Sequence, residues 1–147
     1  MPNWCSNILA VTGPQEELER FQRQAGFSPN TDQPEEKKRL LDFSNFIPVP
    51  DVLLDRSAGF EVVEWQQENW GCKWGACDTM LQTVSPEKVC YWFNTAWSPP
   101  VKFLLTVSKQ YPALRFKMIC FEELNHYFGD LAIQNGEMQD EFVDLTK

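Results

Sequence analysis

Residues 79–111 read TMLQTVSPEKVCYWFNTAWSPPVKFLLTVSKQY. Thr79 to Ser85 and Lys88 to Ala96 are two runs rich in strand formers, joined at Ser85-Pro86-Glu87. In the second run Val89, Cys90, Tyr91, Trp92 and Phe93 are apolar without alternation, the pattern of a strand covered on both faces, so it belongs at the centre of a sheet. Ser98-Pro99-Pro100 then opens a helix, with Ser98 as its N-cap and Val101, Leu104, Leu105 and Ser108 on its inner side. Tyr111-Pro112 ends that helix.

Toward the N-terminus, Trp4 to Thr12 holds the apolar run Ile8-Leu9-Ala10-Val11, stopped by Gly13-Pro14, and reads as a strand. A helix over Pro14–Ala25 follows, with Glu16, Glu17 and Glu19 near the positive end of its dipole and Leu18, Phe21 and Ala25 on one face. Phe27 to Arg39 has no period and reads as a loop, with one helical turn around Glu35 to Leu41. Pro48-Val49-Pro50 prevents a central strand after Phe43, Phe46 and Ile47. Phe60 to Asn69 fits a helix with Phe60, Val63 and Gln67 on one side, running into a loop from Asn69 to Ala76.

Toward the C-terminus, Phe116, Met118 and Cys120 alternate with Arg115, Lys117 and Ile119, a half-buried strand. His126 to Ile133 is a further strand, broken at Gly129, and Asn135-Gly136 is a turn signal. Phe142 to Leu145 is open between a closing strand and a frayed end. With residues 27–76 set aside as a loop and helical insertion, the order is β-α-β-β-α-β plus an extra C-terminal strand. That is an α+β chain of one domain, 1–147, whose expected fold is a ferredoxin-like antiparallel sheet with two helices on one face.

Twenty-one Asp and Glu against thirteen Lys and Arg leave a net charge of −8, and −6 of it lies beyond Phe121. Glu122, Glu123, Asp130, Glu137, Asp140, Glu141 and Asp144 carry that excess against Lys147 alone. A surface for nucleic-acid phosphates needs a basic stripe. None is visible, so nucleic acid is not the expected partner, whereas a protein with a basic surface would meet these acids. The five cysteines are odd in number, lack a Cys-x-x-Cys spacing and have one histidine, His126, for company, so no metal site is expected. Reduced, mostly buried thiols are the expectation. Met1 to Asn7 lacks a signal-peptide layout, and no apolar run is long enough for a bilayer, so a cytoplasmic protein is expected.

Enzymes need more than this chain offers. Pairing the single imidazole with Cys77 or Cys120 has no support in spacing, and Gly71 and Gly75 do not make a phosphate-cradling loop. No catalytic residue and no cofactor is assigned. The aromatics are the remaining resource. Trp70 and Trp74 flank Lys73, and Trp97 ends the central strand. Two readings compete: Trp4, Trp70, Trp74 and Trp97 are buried as core, or Trp70, Lys73, Trp74 and Trp97 form a binding platform with a cation–π contact. Tyr91, Phe93, Phe116 and Tyr127 are the set that would stack single-stranded bases if the sheet were a nucleic-acid reader.

Three motifs, Met1-Pro2-Asn3-Trp4-Cys5-Ser6-Asn7, Asn69-Trp70-Gly71-Cys72-Lys73-Trp74 and Thr95-Ala96-Trp97-Ser98-Pro99-Pro100, resemble the YubB ferredoxin-like family of small proteins from plasmids and bacteriophages. Asp42 to Pro50, with its Phe-Ile-Pro-Val-Pro ending, and the turn Asn135-Gly136-Glu137 fit as well. The resemblance implies a ferredoxin-like fold without an iron–sulfur cluster, and it implies no reaction. Joined to the charge, it suggests a non-catalytic protein of a mobile element in a bacterial host. Such a protein would occupy a basic host protein and antagonise a nucleic-acid-directed defence system, its acids standing in for phosphates as a DNA mimic or anti-CRISPR protein does. A single-stranded nucleic-acid module is the alternative, and a small enzyme the third.

Overall fold

The computed structural model describes residues 3–26, 40–54, 59–122 and 127–144, with the side chains of Leu54, Tyr127 and residues 141–144 left aside. Strand β1 (Trp4–Thr12) leads to helix α1 (Gln15–Gly26). Two 3-10 turns (Phe43–Asn45 and Asp51–Leu54) and helix α2 (Gly59–Asn69) follow. Strands β2 (Lys73–Ser85) and β3 (Lys88–Ala96) precede helix α3 (Val101–Gln110). The chain closes with β4 (Arg115–Glu122), β5 (Tyr127–Gln134) and β6 (Glu137–Asp144).

All pairings are antiparallel and the six strands lie in the order β2-β3-β1-β4-β5-β6. The first four are the ferredoxin-like core, and β5–β6 is a hairpin added to its β4 side. Its turn places Asn135 and Gly136 at φ 49° and 77°, the backbone that a two-residue Asn-Gly turn adopts.

Alternation sorts the sheet into two faces. Cys5, Asn7, Leu9 and Val11 of β1 are buried with Val89, Tyr91 and Phe93 of β3 and Phe116, Met118 and Cys120 of β4. Helix α1 covers this face with the Leu18, Phe21 and Ala25 stripe that its sequence announces. Phe21 touches Tyr91, Phe116 and Tyr111 at centroid distances of 6.2, 5.5 and 5.5 Å. Phe43, from the segment before α2, stacks on Phe103 of α3 at 3.9 Å and meets Phe93 of β3 edge-on at 6.2 Å. Both α1 and α3 therefore lie on one face, and the first 3-10 turn completes the core between them.

Several local expectations are corrected. Strand β2 begins at Lys73 rather than Thr79, so the insertion ends before it and Lys73 and Trp74 sit on a strand end. In α2 the phase is shifted: Phe60 is 75% exposed and Gln67 is exposed, while Gln66 is buried. Burial of that amide is tolerated because its Oε1 accepts the Trp74 N–H at 3.0 Å. Ser98 is not the cap of α3; Pro100 holds that position without a side-chain bond, and the Ser98 hydroxyl donates elsewhere. Phe103 and Val107 join Leu104 and Ser108 on the inner side of α3, while Val101 and Leu105 are half-buried. Gly129 does not break β5, because it is paired with Cys120 on one side and Phe142 on the other. The closing stretch is a full strand, β6. The loop over 27–39 and its helical turn lie outside the described residues, as do Glu123 and His126.

Candidate functional site

The sheet face away from the helices is uncovered among the described residues. One register row crosses five strands as Met80, Trp92, Ile8, Ile119 and Asp130. Met80, Ile8 and Ile119 are exposed, as is Phe121 beside them. The row thus begins apolar on β2 and ends on an acid at β5, where Glu141 of β6 stands opposite Asp130 in the register.

At the β2–β3 end three indoles lie in solvent: Trp4 is 39% exposed, Trp74 45% and Trp97 41%. Trp4 and Trp74 are 6.4 Å apart between centroids. The Lys73 ammonium sits 4.0 Å from the Trp74 ring centre and 4.7 Å from that of Trp97, tying the three rings into one cluster. The expectation of buried tryptophans therefore holds for Trp70 alone, which is 4% exposed. Trp70 packs edge-on against Phe43 at 5.6 Å and donates its Nε1–H to the Ile47 carbonyl at 3.1 Å. It does not flank Lys73; Trp97 takes that place, and Trp4 is the member that the proximity of Lys73 in sequence could not supply.

Trp74 and Trp97 have φ of +70° and +76°. For a bulky side chain the left-handed region costs about 1–2 kcal/mol, and such residues persist only where their surroundings hold them. Here the holding bonds are visible. Gln66 of α2 accepts the Trp74 N–H, and the Asn3 carbonyl accepts the Trp97 N–H at 2.7 Å. The register of β2 shifts between Lys73 and Cys77 and again before Met80, irregularities that re-aim side chains. Trp74→Gly and Trp97→Gly are each expected to be more stable than the corresponding Ala variants by about 0.5–1 kcal/mol, because glycine carries no penalty there. Thermal melts of the four proteins measure this, and Ala variants at least as stable as Gly would show that the backbone does not keep this conformation.

Beneath the indoles a chain of hydrogen bonds, buried around Asn7 and part-buried from Thr95 onward, joins the segments that bear them. Asn7, 2% exposed, donates its Nδ2–H to Thr95 Oγ1 at 3.0 Å and also to the Cys5 and Phe93 carbonyls at 3.1 and 3.4 Å. The Thr95 hydroxyl donates to the Ser98 carbonyl at 2.7 Å, and the Ser98 hydroxyl to the Gly71 carbonyl at 2.5 Å. Gly71, at φ +84°, lets the chain pass so close to α3 that an added Cβ would lie 3.2 Å from the Lys102 nitrogen. Each of the three sequence motifs thus contributes one exposed tryptophan and at least one member of this network.

The acidic residues do not form one patch. Glu122 is 1% exposed and faces inward at the end of β4. Its even position in the Phe116–Met118–Cys120 alternation turns it toward the core, so it leaves the candidate partner surface. Asp130, Glu137 and Asp140 are exposed on β5 and β6. Glu141 and Asp144 lie on β6, with their side chains outside the described set, and Glu123 is outside it altogether. The base-stacking set fails for a similar reason: Tyr91, Phe93 and Phe116 are buried under the helices, and the Tyr127 side chain is not described.

Two of the buried thiols are poorly placed for nucleophilic work. Burial pushes Cys72 up to about 12. Cys120 is raised by its hydrogen bond with Cys5 and by burial. Both are therefore protonated at neutral pH. Cys5, Cys72 and Cys120 are buried and Cys77 and Cys90 half-buried. No group of three metal-ligating side chains occurs among the described residues, and no described helix is long and apolar enough to cross a membrane.

A family model described as the ferredoxin-like domain in Api92-like protein matches residues 64–145, which include Lys73, Trp74 and Trp97 but not Trp4. The crystal structure of a protein api92 from Yersinia pseudotuberculosis superposes with a TM-score of 0.73 at 9% identity, covering 96% of this chain and 98% of that one. At that identity the likeness concerns the fold alone. No curated protein matches the chain.

Proposed function

The chain belongs to the family of ferredoxin-like domains in Api92-like proteins, and from that premise we propose that it is a non-catalytic interaction protein whose anchor is the Trp4–Trp74–Trp97 face. The carrying observation is that three indoles, one from each sequence motif, stand exposed and adjacent while two of them are held in left-handed backbone. Exposed tryptophans on a rigid sheet supply area and geometry at low entropic cost, as interface anchors do. The partner fitted by this surface is a host protein with a basic face. Its apolar centre would cover Ile8, Ile119 and Phe121, and its cations would reach Asp130 on β5 and Glu137 on the edge strand β6. Five strand spacings separate the β2 and β6 edges, about 24 Å, which is within the span of an ordinary protein interface. The resemblance to the YubB family suggests a mobile element as the setting, and joined to the acidic charge that setting suggests antagonism of a nucleic-acid-directed defence system.

The test compares wild type, Trp74→Ala/Trp97→Ala and an Asp130→Lys/Glu137→Lys variant as tagged baits in host lysate, with quantitative mass spectrometry at low and high salt. The expected result is a basic protein retained by wild type, lost from the double tryptophan variant, and weakened by salt and by charge reversal. Loss through charge reversal should act mainly on association rate and leave the melting temperature nearly unmoved. Equal retention of the same protein by all three baits, each folded, would sink the proposal. Wild type binding single-stranded oligonucleotides, more tightly after charge reversal, would favour the nucleic-acid alternative instead.

A further inference from the structure

Sharing Trp74 with the indole cluster is a cavity of 680 Å³ that opens between the start of β2, α2 and the Phe43–Asn45 turn. That volume is in the range of sites that enclose a small ligand or one long side chain. Trp70 and Trp74 supply indole walls, and Asp42, Ser44, Asp51 and Gln66 supply polar groups. Two carboxylates line it, and among the described residues no Lys or Arg does. Asp42 is fixed in place, because its Oδ1 accepts both the Ser44 N–H at 3.0 Å and the Ser44 hydroxyl at 2.6 Å. Trp74 is fixed by its bond to Gln66, and its ring already attracts a cation, the Lys73 ammonium. A group complementary to two carboxylates and indole faces is a planar cation. Guanidinium pairs with a carboxylate through parallel N–H donors and stacks on an indole, which an ammonium does not do. We infer that this cavity receives an arginine side chain of the protein partner. The inference rests on the interaction reading above and gives it a specific contact.

The probe is N-acetyl-arginine amide, titrated into the full chain and followed through the indole N–H signals in NMR spectra. Saturable shifts of Trp70 and Trp74 are expected, with the uncharged isostere N-acetyl-citrulline amide binding at least tenfold more weakly. Asp42→Asn/Asp51→Asn should weaken the arginine probe at least tenfold. Asparagine caps the turn as aspartate does, so the fold is kept, and Asp51→Asn alone, at an exposed position, serves if the double variant melts lower. Citrulline binding equal to arginine, or carboxylate variants that bind unchanged, overturns the inference. Shifts confined to Trp4 and Trp97 overturn it too. Free L-arginine binding tenfold more tightly than the capped amide would identify a small-molecule site and likewise reject a partner side chain. Partner capture that still needs Trp74 and Trp97 while the probe fails would remove the arginine contact and leave the interaction reading standing.

Discussion

Phe43→Ala is expected to destabilise the protein by about 3–5 kcal/mol, the cost of emptying a fully enclosed aromatic site. Phe43 is 1% exposed and lies among Phe103, Trp70 and Phe93, so its ring belongs to the core although it comes from an irregular segment between two helices. The Asp42 cap and the Ile47 carbonyl that receives the Trp70 Nε1–H are anchored around it. A fall in melting temperature of roughly 10 °C or more should accompany the loss. Phe60→Ala is the control. That residue is 75% exposed and should change stability by about 0.5 kcal/mol or less. A loss under 1 kcal/mol at Phe43 would mean that the segment over 40–54 rests on the domain without being part of it.

Asn7→Leu is the second large effect, expected at roughly 3 kcal/mol. The apolar replacement keeps the volume but strips the Thr95 hydroxyl and two strand carbonyls of a buried donor, at about 1–3 kcal/mol for each group left unmade. Thr95→Val in the same chain should cost less than the sum of the two single changes, because it removes an orphan that Asn7→Leu creates. Equilibrium unfolding of the two single variants and the double variant measures this coupling. Strict additivity would show that Asn7 and Thr95 are not coupled through their hydrogen bond. Tryptophan emission gives a second readout, since the segments joined by this network carry Trp4, Trp74 and Trp97.

What the residues announced was whatever depends on period and local sterics. The Leu18–Phe21–Ala25 stripe, the Phe116–Met118–Cys120 alternation and the Asn135-Gly136 turn all read directly into burial and order. The apolar run of β3, by contrast, did not mean cover on both faces: β3 lies second from the β2 edge, and Cys90 and Trp92 are half-buried on the open face. The exposure of the indoles did not. Tryptophan is apolar and a small core needs aromatics, so composition favours burial. Which ring faces out is settled by bonds from outside its own strand end, Gln66 of α2 to the Trp74 amide and Asn3, far along the chain, to the Trp97 amide. One local signal was present: Gly71 and Gly75 bracket Lys73 and Trp74, and both sit at positive φ. Two glycines five residues from end to end mark a backbone that twists, and a twisted strand end turns side chains outward. Glu122 was misjudged, and Gln66 passed over in favour of Gln67, for the complementary reason, since a polar group enters the interior only where partners elsewhere receive it.

The placement of β1 between β3 and β4 also has a consequence in time. Of the six strands, the first to be synthesised is the one that waits longest for its neighbours: one edge waits for Lys88–Ala96 and the other for Arg115–Glu122. Until Lys88–Ala96 is made the run Ile8-Leu9-Ala10-Val11 has two open edges, which makes the nascent chain adhesive for longer than a meander of the same strands would be. Synthesis of nearly the whole core must precede its closure, so slow elongation late in the message prolongs this exposure and rapid elongation shortens it.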